Sequence, residues 1–223
     1  MFKKLFGNRK KISPEEEERL ENEWHDAKSA LMEIILGKEH NMVMHALIPY
    51  EIGGALDLYY FPNGIPGTGI ATKELSFACR TSSSNDKFDK YELVMFTSHI
   101  LNLEHANDNQ TPFGGAHNRI NSILNTLAPY SAAAKVNPYD TIEFPKEMEE
   151  IGGICLIADA YGSRHDGRED FGLMTIIEIY REEMDFARQN GGAALIDLLK
   201  AKGHYPYSDM PRDSVLNDEN TLQ

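Results

Sequence analysis

Apolar and polar positions follow one rhythm up to about residue 37 and another from residue 42 onward, so a helix precedes a run of strands. Ser13-Pro14-Glu15-Glu16 reads as the helix start. Ser13 can accept from the free amides of the first turn, Pro14 suits the first helical position, and Glu16 completes a capping box. Leu20, Trp24, Ala27, Leu31, Ile34 and Ile35 then recur at helical spacing, and Gly37 is the stop. This predicts an amphipathic helix with Trp24 on its core stripe.

Met42 to Pro49 and Leu56 to Phe61 predict two adjacent antiparallel strands joined across Gly53-Gly54. Pro62 to Gly69 reads as a turn cluster, Glu74 to Arg80 and Tyr91 to Thr97 as a third and fourth strand, and Thr81 to Asp89 as an exposed polar loop between them. Ile100, Leu101 and Leu103 begin a short helix. His117 to Ala134 forms a longer one, with a kink or break expected at Pro129. Thr141 to Phe144 is a short strand. The apolar runs Gly153 to Ala158 and Leu173 to Ile179 predict central strands buried on both faces. Arg181 to Gln189 and Ala193 to Ala201 are helices divided by Asn190-Gly191-Gly192, and the segment beyond Pro206 reads as an acidic, loop-like tail.

Strands without regular helical alternation predict an α+β fold, a mixed or antiparallel central sheet flanked by helices in one domain. The expected layout is a basic N-terminus over 1–12, the helix over 13–37, the α+β domain over 38–205 and the tail over 206–223.

Charge narrows the choice of partner. The 223 residues carry 22 Lys and Arg against 35 Asp and Glu, a net charge of -13. Residues 1–11 hold five of the bases and no acid. Such an acidic body repels phosphate backbones and attracts basic protein surfaces, which argues against a nucleic-acid ligand. No apolar run is long enough to span a bilayer, and no apolar h-region follows the basic N-terminus, so no membrane anchor or secretory signal is expected. Met1 to Lys11 could still touch an anionic surface. Two cysteines, Cys79 and Cys155, cannot build a disulfide framework, which suits a reduced, cytoplasmic protein.

No phosphate-binding loop, nucleophile elbow or dinucleotide fingerprint is present, and no cofactor is expected. The alternative chemistry is a metal-dependent hydrolase drawing on His99, His105, Asp108, His117 and His165, but none of these has metal-motif spacing. Asp159 with Arg164-His165-Asp166 is a second acid/base grouping, read mainly as a loop shaped by Gly162 and Gly167.

A family resemblance adds what motif spacing does not. Leu173-Met174-Thr175-Ile176-Ile177-Glu178-Ile179, then Arg181-Glu182-Glu183-Met184, then Asn190-Gly191-Gly192 and Ala193 to Leu199 form a strand, Glu-rich helix start, glycine turn and Leu-rich helix. Lys73 to Phe77, Tyr91 to Val94, Leu127-Ala128-Pro129-Tyr130 and Tyr139-Asp140-Thr141-Ile142 add shorter matches. Over roughly residues 40–215 the chain resembles the suppressor of fused family, in its bacterial single-domain form. The Gly114 to Ala134 stretch differs in length from the animal pattern, and the large second domain of the animal proteins has no counterpart.

The resemblance implies a non-enzymatic domain that binds another protein or an extended peptide. For the bacterial members it implies an immunity protein that neutralises a toxin domain, here expected to be basic. It also implies that Tyr130 and Asp140 contact the partner, because a Tyr at the helix end and the Asp beyond it do so in the animal proteins. Packing of the Tyr130 ring and a turn cap by Asp140 are the structural alternatives.

Overall fold

A computed structural model describes residues 12–165 and 170–217. The basic segment 1–11, Asp166, Gly167 and the last six residues lie outside the described residues, as does the side chain of His165.

Helix α1 (Pro14–Leu36) starts as the sequence predicts: Ser13 Oγ accepts from the Glu16 amide at 3.2 Å. The Glu16 carboxylate turns to Arg19, so only half of the capping box forms. Gly37, at φ 79°, ends the helix in a conformation that costs other residues a Cβ clash. The buried stripe is rotated from the expected one. Lys28, Met32 and Leu36 are buried, while Ala27 and Ile34 are exposed, because Lys28 is drawn inward by carboxylate and carbonyl partners. Trp24 is half-buried, edge-on to Phe171 at 5.8 Å, and donates to the Ser76 carbonyl.

The remaining elements are β1 (Val43–Met44), β2 (Leu58–Phe61), β3 (Thr68–Ala71), β4 (Lys90–Thr97), α2 (Pro112–Ala133), β5 (Thr141–Glu143), β6 (Cys155–His165), β7 (Asp170–Ile179), α3 (Arg181–Asn190) and α4 (Gly192–Ala201), with single 3₁₀ turns at Tyr50–Ile52 and Leu103–His105. They form an α+β fold around one seven-stranded mixed sheet of order β1-β2-β3-β4-β7-β6-β5. Among the described strands β4 and β7 pair in parallel, and the other neighbours pair antiparallel.

Helix α2 covers one face, packing Ile120, Ile123, Leu124 and Leu127 against Tyr60, Leu93, Met95, Leu156, Met174 and Ile176. On the other face α1 packs Met32 and Leu36 on Phe61, Val94, Phe96, Phe171 and Leu173. Beside it, α3 and α4 pack Met184, Leu195, Ile196 and Leu199 on Cys155, Ile157, Ile177 and Ile179. Each such fully buried aliphatic side chain contributes about 1.5–3 kcal/mol.

Several expectations are corrected. The Met42 to Pro49 strand shrinks to two residues, although its antiparallel pairing with β2 is as predicted. Thr68 to Ala71, read partly as turn, is a fully buried strand. Glu74 to Arg80 is not a strand, because its amides are taken by side-chain carboxylates. Glu92 accepts from Leu75 and Ser76, and Glu21 from Ala78 and Cys79. The Thr81 to Asp89 loop buries Ser83 and Phe88, with Gly172 leaving room for the Phe88 ring.

Helix α2 begins five residues before His117, with Thr111 as N-cap, and continues through Pro129. Proline removes one backbone bond there, but buried Leu124, Leu127, Ala128 and Ser131 hold both sides on the same core. Strand β6 runs on through Gly162 to His165, so that stretch pairs with β7 and is no loop. Residues 206–217 lack regular structure but are packed: the Ser208 amide bonds the Phe96 carbonyl at 2.8 Å, and Val215 is buried.

Candidate functional site

Tyr130 lies near the C-terminal end of α2 and is half exposed. Its neighbour Ser131 is buried, with its hydroxyl against Ser83 and its carbonyl accepting from the Tyr91 hydroxyl. Asp140 lies just before β5. One carboxylate oxygen accepts the Asn137 amide at 2.8 Å, and its carbonyl accepts the Ala158 amide at 3.0 Å. The carboxylate therefore closes a turn, as the structural alternative has it.

The segment between α2 and β5 is tied to the 81–89 loop. Asn85 donates to the Val136 carbonyl, the Asp86 amide donates to Asn137, and Lys135 pairs with Asp86 at 2.6 Å. Tyr130 and Asp140 thus flank one strapped segment.

Tyr139, beside Asp140, carries a feature that sequence pattern does not reveal. Its φ is 75°, a left-handed conformation costing a non-glycine residue about 1–2 kcal/mol, and its side chain is half exposed. Gly192 permits this: a Cβ there would lie 2.3 Å from the Tyr139 carbonyl oxygen. Beyond it, β5 is an edge strand paired only with β6. Asp140 and Phe144 bond toward β6, so antiparallel alternation points the backbone groups of Thr141 and Glu143 away from the sheet. The Glu143 carboxylate is gripped by Arg181, which lowers its pKa.

The metal-ligand candidates do not converge. His117 is buried in α2, with one ring nitrogen 2.9 Å from the Tyr60 hydroxyl and the other 3.0 Å from the Ala106 carbonyl; burial lowers its pKa. His105 is 4.0 Å from Asp108, and His99 offers its carbonyl to Thr68. Among the described residues no three His, Cys, Asp or Glu side chains are grouped to hold a metal ion, and nothing favours the hydrolase alternative. Asp159 is buried on β6, accepting from the Tyr205 hydroxyl at 3.1 Å and from the Ala160 amide. Cys155 is buried, which raises its thiol pKa, and Cys79 is half-buried.

Periodicity also misses the buried charges. Lys28 pairs with Glu92 beneath α1, buried Glu178 of β7 is forked by the exposed Arg119 of α2, and buried Glu183 of α3 is forked by Arg212. Glu74, at the β2 end of the Lys28 cluster, is pushed up to about 7, chiefly by burial and then by nearby Asp57 and Glu92, against the Asp57 amide and Lys28. Because the folded pKa exceeds the unfolded one, ionised Glu74 destabilises the fold as pH rises from about 4.5 to 7. Glu74→Gln is expected to raise stability at pH 8 by on the order of 1 kcal/mol and to leave it nearly unchanged at pH 4. Urea titrations at both pH values measure this, and equal shifts at both would contradict it.

Similarity to known proteins concerns this same architecture. No curated protein matches the chain. The crystal structure of a Sufu–Fu complex matches with a TM-score of 0.57 at 14% identity, over 88% of this chain and 92% of that one, which shows a shared fold. A crystal structure of Drosophila Suppressor of Fused matches with a TM-score of 0.47 at 14% identity, over 69% of this chain and 41% of that one. The family described as suppressor of fused protein matches residues 67–213, from just before β3, through α4, to Asp213. The chain belongs to the suppressor of fused family.

Proposed function

We propose that the protein is a non-enzymatic binding module that captures a segment of another protein at the β5 edge, with Tyr130 and Asp140 in contact with it. The strongest support is the short edge strand preceded by the half-exposed Tyr139, within a family that includes a protein solved in complex with a partner. An extended peptide can add to such an edge through its backbone while neighbouring side chains select its sequence. Among the described residues no helix is long and apolar enough to cross a membrane, so the reading needs no membrane-spanning helix there.

The partner we propose is a basic toxin domain, and the activity is its neutralisation, which makes this an immunity protein. The acidity of the chain supports that choice, since opposite charge speeds encounter and salt weakens it. Growth rescue tests it: the partner is expressed alone and with this chain, and only co-expression restores growth.

Tyr130→Ala combined with Asp140→Asn is expected to weaken the complex at least tenfold, read by calorimetric titration. Asparagine keeps an oxygen for the Asn137 amide, so the melting temperature should stay within a few degrees. A double variant that binds normally would remove these residues from the site.

A further inference from the structure

We propose that the chain's own basic segment, residues 1–11, docks in the cleft between α1 and residues 73–80, so that a basic partner reaches this cleft only by displacing it. The surface lies on the α1 face, apart from the β5 edge, and the inference is independent of the function proposed there. The cleft has a volume of about 490 Å³. Glu17, Glu18 and Glu21 of α1 line one side, and Tyr59, Glu74 and Phe77 line the other.

Charge identifies the occupant once the committed groups are set aside. Glu17 is held by Arg80, and Glu16 and Glu23 by Arg19. Lys28 and Lys73 line the cleft but are buried and paired with Glu92 and Glu39. What remains is acidic. Glu18 is exposed and makes no ion pair or hydrogen bond among the described residues. Glu21 accepts the Ala78 and Cys79 amides at 2.9 Å and Glu74 accepts the Asp57 amide, but no ion pair neutralises either. Over residues 14–26 as a whole, seven acids stand against one arginine. Residues 1–11 answer with five bases and no acid, interleaved with Phe2, Leu5 and Phe6. Trp24, Tyr59 and Phe77 are half-buried in the cleft, so it offers ring surface to those apolar residues as well as carboxylates to the bases.

Chain length fits this occupant too. Residue 11 adjoins the Ser13 cap, at the end of the cleft where Pro14 stands. From Pro14 to Trp24 the helix rises about 15 Å at ~1.5 Å per residue, and five extended residues cover a similar length at ~3.3 Å each. A segment folded back along α1 therefore sets Arg9, Lys10 and Lys11 beside Glu17, Glu18 and Glu21, with Leu5 and Phe6 near Trp24. Tethering gives it an effective concentration of roughly millimolar, so it fills the cleft ahead of a free partner or a second copy.

Trp24 is the sole tryptophan and lines the cleft, so its fluorescence reads occupancy in the full chain. Acrylamide quenching of Trp24 should rise at least twofold from low to high salt, where screening releases the segment. Arg9→Glu with Lys10→Glu and Lys11→Glu should be quenched at low salt as strongly as the native chain is at high salt. Glu18→Lys with Asn22→Lys, both exposed and so compatible with an unchanged melting temperature, should behave the same way. A zero-length carbodiimide should link Lys10 or Lys11 to Glu18 within one molecule at low salt. Equal quenching at both salts and in both variants would overturn the proposal. So would links found only between two copies, which would make the occupant a second chain. Protection of Trp24 that appears only after phosphatidylserine vesicles are added would also overturn it, since the segment would then seek an anionic surface and not the cleft.

Discussion

Glu92→Ala is expected to destabilise the protein by about 3–5 kcal/mol, a large share of the roughly 5–15 kcal/mol that holds a domain together. Glu92 is buried on β4, facing α1, and serves five donor groups: Lys28 Nζ at 2.9 Å, Thr72 Oγ1 at 2.6 Å, the Leu75 amide, and the Ser76 amide and hydroxyl. Removing the carboxylate orphans two amides and two hydroxyls and leaves a buried ammonium with only the carbonyls of Lys73 and Ser76.

Lys28→Met is expected to cost less, about 1–3 kcal/mol. Glu92 keeps its other donors, and the apolar replacement fills the space. Urea denaturation of both single variants and the double variant gives the coupling energy directly. A loss under 1 kcal/mol for Glu92→Ala would show that the carboxylate does not organise residues 72–76.

Glu183→Ala is expected to cost a comparable amount, about 3–5 kcal/mol, and to act on the last packed segment. The buried Glu183 carboxylate accepts both terminal nitrogens of Arg212 at 2.7 Å, the Val215 amide at 2.8 Å and the Tyr180 amide at 2.9 Å. Arg212 is itself almost fully buried, so losing the acid strands a charge. Hydrogen exchange at the Val215 amide should accelerate to the rate of global unfolding or faster.

Acidity should reproduce part of this loss. Burial alone would raise the Glu183 pKa, but Arg212 and the Val215 and Tyr180 amides together hold it below 4.5. Its contribution is therefore present above the unfolded value near 4.5 and lost as pH falls through the lower folded value. Glu183→Gln should start less stable at pH 7 and lose less than the native chain on acidification. An acid limb of unchanged slope in Glu183→Gln would contradict this.

Elements whose stability comes from one unbroken apolar pattern were legible in the chain: β7, α3, α4, the core of β6 and most of α2. The start of α1 was legible because Ser13 and Pro14 act locally. What pattern could not supply was tertiary. Thr68-Gly69-Ile70-Ala71 is too small and glycine-rich to announce a strand, yet it is buried between β2 and β4, with Phe96 against Gly69.

Glu74 to Arg80 has strand-like composition, but Glu21 and Glu92, distant in sequence, take its amides. Burial of Lys28, Glu92, Glu178 and Glu183 leaves no mark in the sequence pattern, since burial of a charge depends on a partner that only the fold provides. At the candidate site, Tyr130 and Asp140 came from family resemblance. The positive φ of Tyr139 left no trace, because a tyrosine before an aspartate carries no turn signal of the kind glycine does.

The most direct test of the binding account is a paired affinity capture from the native host. The wild-type chain and the Tyr130→Ala, Asp140→Asn variant are compared at low and moderate salt, and retained proteins are quantified by mass. The account predicts one basic protein held by the wild type, lost as salt rises, and reduced at least tenfold on the variant. Equal retention by both chains, or no retained protein under either condition, would contradict it.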